Sequence, residues 1–149
     1  MKPDFGKVMH GFFGTLLMDV APNLTPGYAT GSVGLMGLML FMGAEEYERG
    51  AAVRVADNQD MRELFAEAAG RVEDMSLKQR LGEAAESVDE SLNISALEES
   101  NARLKALLID LQSHVEQASG ATAAELEDRI WEVLVASCNR RKLTFPILG

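Results

Sequence analysis

The side chains that most often bind metals or carry catalysis are scarce in this sequence. It contains two histidines, His10 and His114, and one cysteine, Cys138. Asp110 and His114 are four residues apart and would share one helix face, which offers a metal two ligands at most. A structural zinc site needs four ligands, and a di-iron bundle needs Glu-x-x-His on two helices. The sequence therefore predicts no bound metal and no cofactor.

Two further groups contain residue types used in catalysis, but their predicted surroundings do not favour catalysis. Cys138 precedes the basic residues 140–142, which would favour a thiolate. It also falls on the apolar stripe of the last predicted helix, near a C-terminus whose dipole opposes negative charge. We expect a buried structural cysteine. Glu45, Glu46 and Glu48 end an apolar segment, where charged residues are usually solvated. An enzyme is therefore the less favoured interpretation.

Glycine and methionine are concentrated in the first third of the chain. Gly31-x-x-Gly34-x-x-Gly37 lacks the Lys-Ser/Thr and the preceding strand of a phosphate loop. Small residues one helical turn apart instead let another backbone approach, and methionine fills irregular space. A tightly packed hairpin with no further role is the favoured interpretation of this region, because methionine at helical spacing is usually part of a core. The candidates for a ligand-binding site or an interface are Met9, His10, Gly31, Gly34, Met36, Met39, Met42 and Tyr47.

These candidates belong to a predicted apolar helical hairpin. Apolar residues at helical spacing predict a first helix over about 3–20, and two prolines and a glycine predict a loop over 21–27. The next helix is uncharged up to residue 44, and we expect it to be buried and to continue to about Val55. Its apolar centre, Val33 to Ala44, is about a dozen residues long, whereas a membrane span needs roughly 20.

The remainder is predicted to be amphipathic helix. Asp57-Asn58 is expected to break or cap a helix, although one long helix through Asn58 is the alternative. Capping boxes at Ser76, Ser95 and Thr122 predict three further helix starts. The helix after Ser95 has a short heptad seam with one polar position. Its members are Leu97, Asn101, Leu104, Leu108, Leu111, Val115 and Ala118.

The predicted fold is therefore all-α. We expect a single domain over 1–149, built as a bundle of five to six mostly antiparallel helices. An apolar hairpin over about 3–55 would be covered by acidic helices over about 58–142. The C-terminal tail, 143–149, is apolar, and we expect it to lie against the bundle or a neighbouring subunit.

Charge restricts the partners. The net charge is −9, residues 1–43 sum to zero, and residues 44–139 carry about −12. Nucleic-acid binding is not expected, because it needs a basic surface, and attraction to an anionic membrane is disfavoured for the same reason. A lone cysteine and the lack of a convincing export signal favour the cytoplasm.

The function that these features favour is that of a non-catalytic interaction or structural protein. Two nearly uncharged helices are hard to hide in one copy, so we expect a homodimer whose interface includes the hairpin. The alternative is a bundle, or an enzyme, that binds a small apolar molecule in a pocket lined by methionine and glycine. A weaker alternative is a peripheral membrane protein that uses residues 28–44.

Overall fold

The computed structural model describes residues 4–25 and 27–143, and within them the chain forms five α-helices and no strand. This confirms the all-α class and the bundle architecture. A π-helical turn, Leu16–Val20, and a 3₁₀ turn, Ala21–Asn23, follow the first helix. The predicted tail lies outside the described residues, apart from Leu143. The helices are α1 Phe5–Thr15, α2 Tyr28–Ala69, α3 Met75–Glu86, α4 Ile94–Gln117 and α5 Ala121–Arg140.

The described residues divide into two compact units. The first, the hairpin unit, contains the residues up to Gly50 together with Leu143, and the second, the bundle unit, is Ala51–Lys142. The boundary falls inside α2, a few residues before the predicted division between the apolar hairpin and the acidic helices. That the whole chain is one domain stays a prediction.

In the hairpin unit, α1 packs antiparallel on the first part of α2. Phe5 meets Tyr47 with ring centroids 4.8 Å apart, and Phe13 meets Phe41 at 5.6 Å. Gly37 lies at this contact, since a Cβ there would be 3.4 Å from the Phe13 ring, at van der Waals distance. Asp4 caps α1, because its carboxylate accepts a hydrogen bond from the backbone N–H of Lys7.

The bundle unit has an apolar core, to which α2, α3, α4 and α5 contribute side chains. The heptad seam of α4 is buried along its length up to Val115. Ion pairs between α2 and α5 run in opposite order along the two helices, from Arg140 with Asp57 to Arg71 with Glu125, so these helices are antiparallel. The core residues are Met61, Leu64, Phe65, Ala68, Val72, Leu77, Leu81, Leu104, Leu107, Leu108, Leu111, Val115, Leu126, Ile130 and Val133.

The helix starts differ from those predicted. α2 continues through Asp57 and Asn58 without a break, which confirms the alternative of one long helix. Both side chains are buried and bond to other elements instead of capping. The N-cap positions of α3, α4 and α5 lie two residues before each predicted hydroxyl. They are occupied by Asp74, Asn93 and Gly120. Asp74 competes well for this position, since its carboxylate accepts from the N–H of Leu77 at 2.8 Å.

The expectation of a buried cysteine is wrong. Cys138 is exposed, because it lies outside the α5 stripe formed by Leu126, Ile130 and Val133. At 100° per residue, it is offset from Val133 by more than a third of a turn. An apolar neighbourhood in sequence therefore did not place this side chain in the core.

Candidate functional site

The hairpin unit leaves an unusual amount of apolar surface uncovered. Two helices packed on each other can bury only one face of each. The buried apolar side chains among its described residues are Phe13, Phe41 and Ala44. The described residues up to Gly50 include ten large apolar side chains that are exposed. They are Phe5, Phe12, Met18, Tyr28, Leu35, Met36, Leu38, Met39, Met42 and Tyr47.

The first part of α2 has two opposite apolar faces. The inner face, which contains Phe41 and Ala44, packs against α1. The second face, which we call the outer face, contains Leu35, Met39 and Met42, whose exposed fractions are 60%, 65% and 48%. Successive helical residues are offset by about 100°, so this face lies half a turn from the inner one. Tyr28–Ala44 carries no charged residue.

This exposure corrects the expectation that the uncharged helix is buried. Its inner face is buried, but the outer face of the chain meets solvent. An uncharged, apolar segment gains free energy when it is removed from water. In the hairpin unit only α1 packs against this segment, and one helix can bury only one side of it. A contiguous apolar patch exposed on a folded chain often marks an interaction site.

The predicted site residues separate into two groups. Met36, Met39, Met42 and Tyr47 are exposed, whereas Met9 and His10 are half-buried. The His10 ring lies 5.7 Å from the ring of Phe41 on the inner side of the hairpin. The methionines of α2 are thus not gathered with Met9 and His10 into one enclosed pocket.

Gly31 and Gly34, the predicted glycines, have no close neighbour within the chain. An added Cβ at Gly31, Gly34 or Gly43 would meet nothing within 4 Å, unlike one at Gly37. A glycine inside a helix costs about 1 kcal/mol relative to alanine. Of these four glycines, only Gly37 lies at a contact within the chain, and the other three have open space beside them.

In the bundle unit, a buried polar network joins α2, α4 and the α3–α4 connection. Asn101 Nδ2 donates to Asn58 Oδ1 at 2.8 Å, and Asn58 Nδ2 donates to Asp89 Oδ1 at 3.0 Å. Arg62 binds both carboxylate oxygens of Asp89 and donates to Ser100. The hydrogen bonds from Arg62 hold the pKa of Asp89 below its usual value, against the opposing effect of burial.

A second polar cluster fastens the end of α5 to α2. Asp57, which is 2% exposed, accepts hydrogen bonds from Ser137 at 2.9 Å, from Arg140 at 2.9 Å and from Arg141. Hydrogen bonds to Asp60 and then to Asp57 raise the pKa of Arg140, so it stays charged. Each carboxylate is matched by a guanidinium, as in a structural ion-pair network. Sequence reasoning missed this cluster, although its charges stand out at positions 57, 60, 140 and 141.

The bundle unit also has a half-open apolar pocket of about 230 Å³ between α2, α4 and α5. That volume is below the roughly 300–1,000 Å³ of most small-molecule sites. None of the predicted site residues lines it. Its lining consists of Met61, Leu108, Ile109, Val133 and Leu134 with the polar residues Asp57, Lys105, Gln112 and Ser137.

Similar proteins were sought in three ways. Comparison with protein-family models, with curated proteins and with solved structures found no match. Within residues 4–25 and 27–143, no three His, Cys, Asp or Glu side chains group so that they could hold a metal ion. None of the helices in that part of the chain is both long enough and apolar enough to cross a membrane.

Proposed function

We propose that this protein is a non-catalytic interaction protein that self-associates as a homodimer through its hairpin unit. One observation carries the proposal, namely the uncharged outer face of α2, on which Leu35, Met39 and Met42 are about half exposed or more. Monomeric proteins rarely leave contiguous apolar surface of this kind in water. A symmetric dimer is the commonest way to cover it.

The driving force can be estimated from exposure. Complete burial of a large apolar side chain stabilises by about 1.5–3 kcal/mol, so covering the remaining half of one contributes about 1 kcal/mol. Ten such side chains lie on the hairpin unit, and a two-fold interface would use a set of them twice. The gain competes with an association cost of about 4–15 kcal/mol. Dimerisation at micromolar concentration needs a net gain of about 8 kcal/mol, so at the lower end of that cost about twelve such side chains, six from each copy, must be covered.

Sedimentation of the full chain tests the proposal. We expect a dimer mass for the wild type and a monomer mass for Met39→Glu, which places a charge in the centre of the outer face. Met75→Glu is the matched control, because Met75 is 76% exposed in the bundle unit and the chemical change is identical. The control should remain dimeric and all three proteins should be equally helical.

A wild type that is strictly monomeric at micromolar concentration would overturn the proposal. Dimers of Met39→Glu as tight as those of the wild type would also refute it, because the outer face would then not be the interface. If a monomeric wild type co-sedimented with phosphatidylcholine vesicles and Met39→Glu did not, the outer face would belong to a lipid surface instead.

The apolar pocket of the bundle unit supports a second candidate, a small apolar ligand held between α2, α4 and α5. The anionic dye 1-anilinonaphthalene-8-sulfonate is a suitable probe of it. Leu134→Trp should fill the pocket and reduce dye binding several-fold. Val135→Trp is the control, because Val135 is exposed and does not line the pocket. Equal dye binding by both variants would exclude this site.

A further inference from the structure

The outer face of α2, extended by one position to Glu46, has the spacing of a coiled-coil seam. Residues 28, 32, 35, 39, 42 and 46 follow one another at alternating intervals of four and three, which is the spacing of heptad positions d and a. These residues are exposed, apart from the half-exposed Ser32. The buried seam of α4 shows that this chain uses the same spacing where two helices meet. Within the hairpin unit, the part of the seam from residue 28 to residue 42 has no partner helix.

The seam is complementary to itself when it is reversed. If two copies of α2 pair antiparallel about the level of residue 37, each residue lies opposite the residue whose number makes a sum of 74. Leu35 then lies opposite Met39, and Ser32 lies opposite Met42. Each layer pairs an a position with a d position, as antiparallel helix pairs require. Leu35 and Met39 are both large, whereas the small side chain of Ser32 leaves room for Met42.

Two of the three glycines without a close neighbour fit the same register. Gly31 and Gly43 flank the seam, their numbers also sum to 74, and both face open space within the chain. In the antiparallel pair, Gly31 of one copy and Gly43 of the other would lie at the same level along the axis, on opposite edges of the contact. Glycine at these positions lets two helix backbones come close, which accounts for residues that packing within one chain does not need.

Charge selects the antiparallel direction. In a parallel pair, the segments 45–49 of the two copies would lie side by side, and each keeps a net charge of −2 when the ion pair between Glu45 and Arg49 is counted. Like charges placed opposite each other disfavour such an arrangement. In the antiparallel pair, Glu46 lies opposite Tyr28, and the two acidic ends are separated by the length of the uncharged segment.

We propose that the partner of the outer face is a second copy of this chain, paired antiparallel about the level of residue 37. This inference rests on the proposed self-association and adds the direction and the register of the contact. The interface is then isologous, since the same segment serves both sides of a two-fold axis. Its central layers are the two equivalent contacts between Leu35 and Met39.

Disulfide trapping in the full chain tests the register. Cys138 is first replaced by serine, and Ser32→Cys and Met42→Cys are then introduced in separate proteins. With a rise of about 1.5 Å per residue, Ser32 lies level with Met42 of the partner but about 15 Å along the axis from Ser32 of the partner. Mild oxidation of the mixture should therefore give the mixed disulfide in several-fold excess over either homodisulfide. Each protein oxidised alone is the control, and the products are distinguished by mass.

A second pair, Tyr28→Cys with Glu46→Cys, repeats the test at the ends of the seam, where identical residues are about 27 Å apart along the axis. Efficient homodisulfides of Ser32→Cys or Tyr28→Cys would overturn the inference in favour of parallel pairing. Absence of mixed disulfides from both pairs, in proteins that sediment as dimers, would overturn it as well. A monomeric wild type would instead be a failure of the proposed self-association, so the two failures are distinguishable.

Discussion

The buried asparagine pair of the bundle unit gives the sharpest prediction about stability. Asn58 and Asn101 are 0% and 1% exposed, and their side chains are joined by a hydrogen bond of 2.8 Å. We consider replacing each with leucine, whose side chain has the same branching, alone and together. The comparison isolates the hydrogen bond from the cost of leaving one partner unsatisfied.

The magnitudes follow from what each change leaves behind. Asn101→Leu leaves the Oδ1 of Asn58 buried without its donor, which costs about 1–3 kcal/mol in unfolding free energy. Asn58→Leu costs at least as much, because it also removes the donor at 3.0 Å from Asp89. In the double variant both amides are absent, so neither is left buried without its hydrogen-bond partner. Its loss should be smaller than the sum of the two single losses by about 1–2 kcal/mol.

Urea denaturation followed by circular dichroism measures these free energies, at one protein concentration so that association affects all four proteins alike. Asn139→Leu is a suitable control, since Asn139 is exposed near the end of α5. Losses that simply add in the double variant would refute the reasoning, because they would mean that the two amides do not depend on each other.

Two further predictions concern the charged residues of the bundle unit. Asp89 has its pKa lowered by Arg62, so its contribution to stability is present above its usual pKa of 3.8 and is lost as the pH falls through the lower folded value. The stability difference between wild type and Asp89→Asn, from urea titrations at several pH values, should therefore shrink below about pH 4; a constant difference would contradict this. Asp57→Ala should lower the unfolding free energy by about 2 kcal/mol, less than for a fully buried pair because its arginine partners reach water. In thermal melts the exposed Asp128→Ala should change stability by no more than about 0.5 kcal/mol, and equal shifts for both variants would count against a special role for Asp57.

The sequence predicted α4 well because its periodicity is redundant. Leu97, Leu104, Leu108 and Leu111 each indicate the same buried face, so no single residue decides the assignment. Asn101 could be recognised as the polar position of the seam. Its partner could not, since residue 58 becomes its neighbour only through the packing of two helices that are far apart in sequence.

Asp57 and Asn58 show why local rules gave the wrong helix boundary. Aspartate and asparagine are good N-caps because their side chains can bond to free backbone N–H groups. The same side chains can instead bond across a core when other elements supply donors. Arg140 and Asn101 do so here, at distances of 83 and 43 residues along the chain. Rules based on neighbouring residues cannot predict this outcome, because the competing donors are distant in sequence.

The outer face of α2 shows a second limit of sequence-based prediction. Leu35, Met36 and Met39 have the composition of a core, and the sequence indicated that water should be excluded from them. It did not indicate whether the cover comes from the same chain. The predicted region of the candidate site was thus identified from composition, whereas the division into inner and outer faces depended on where Phe13 and Phe41 meet.

The apolar outer face belongs to a chain whose net charge is −9, and the two together set a limit on assembly size. Each added copy brings a similar gain in covered surface, whereas the number of repelling pairs grows roughly with the square of the number of copies. If the chain self-associates as proposed, it should behave as a charged amphiphile, for which small closed assemblies are favoured over continued growth. Dissolved ions weaken the repulsion, whose range is about 8 Å at physiological ionic strength. Concentrated salt should then shift the protein toward larger assemblies, whereas contacts made mainly of ion pairs would dissociate under the same treatment.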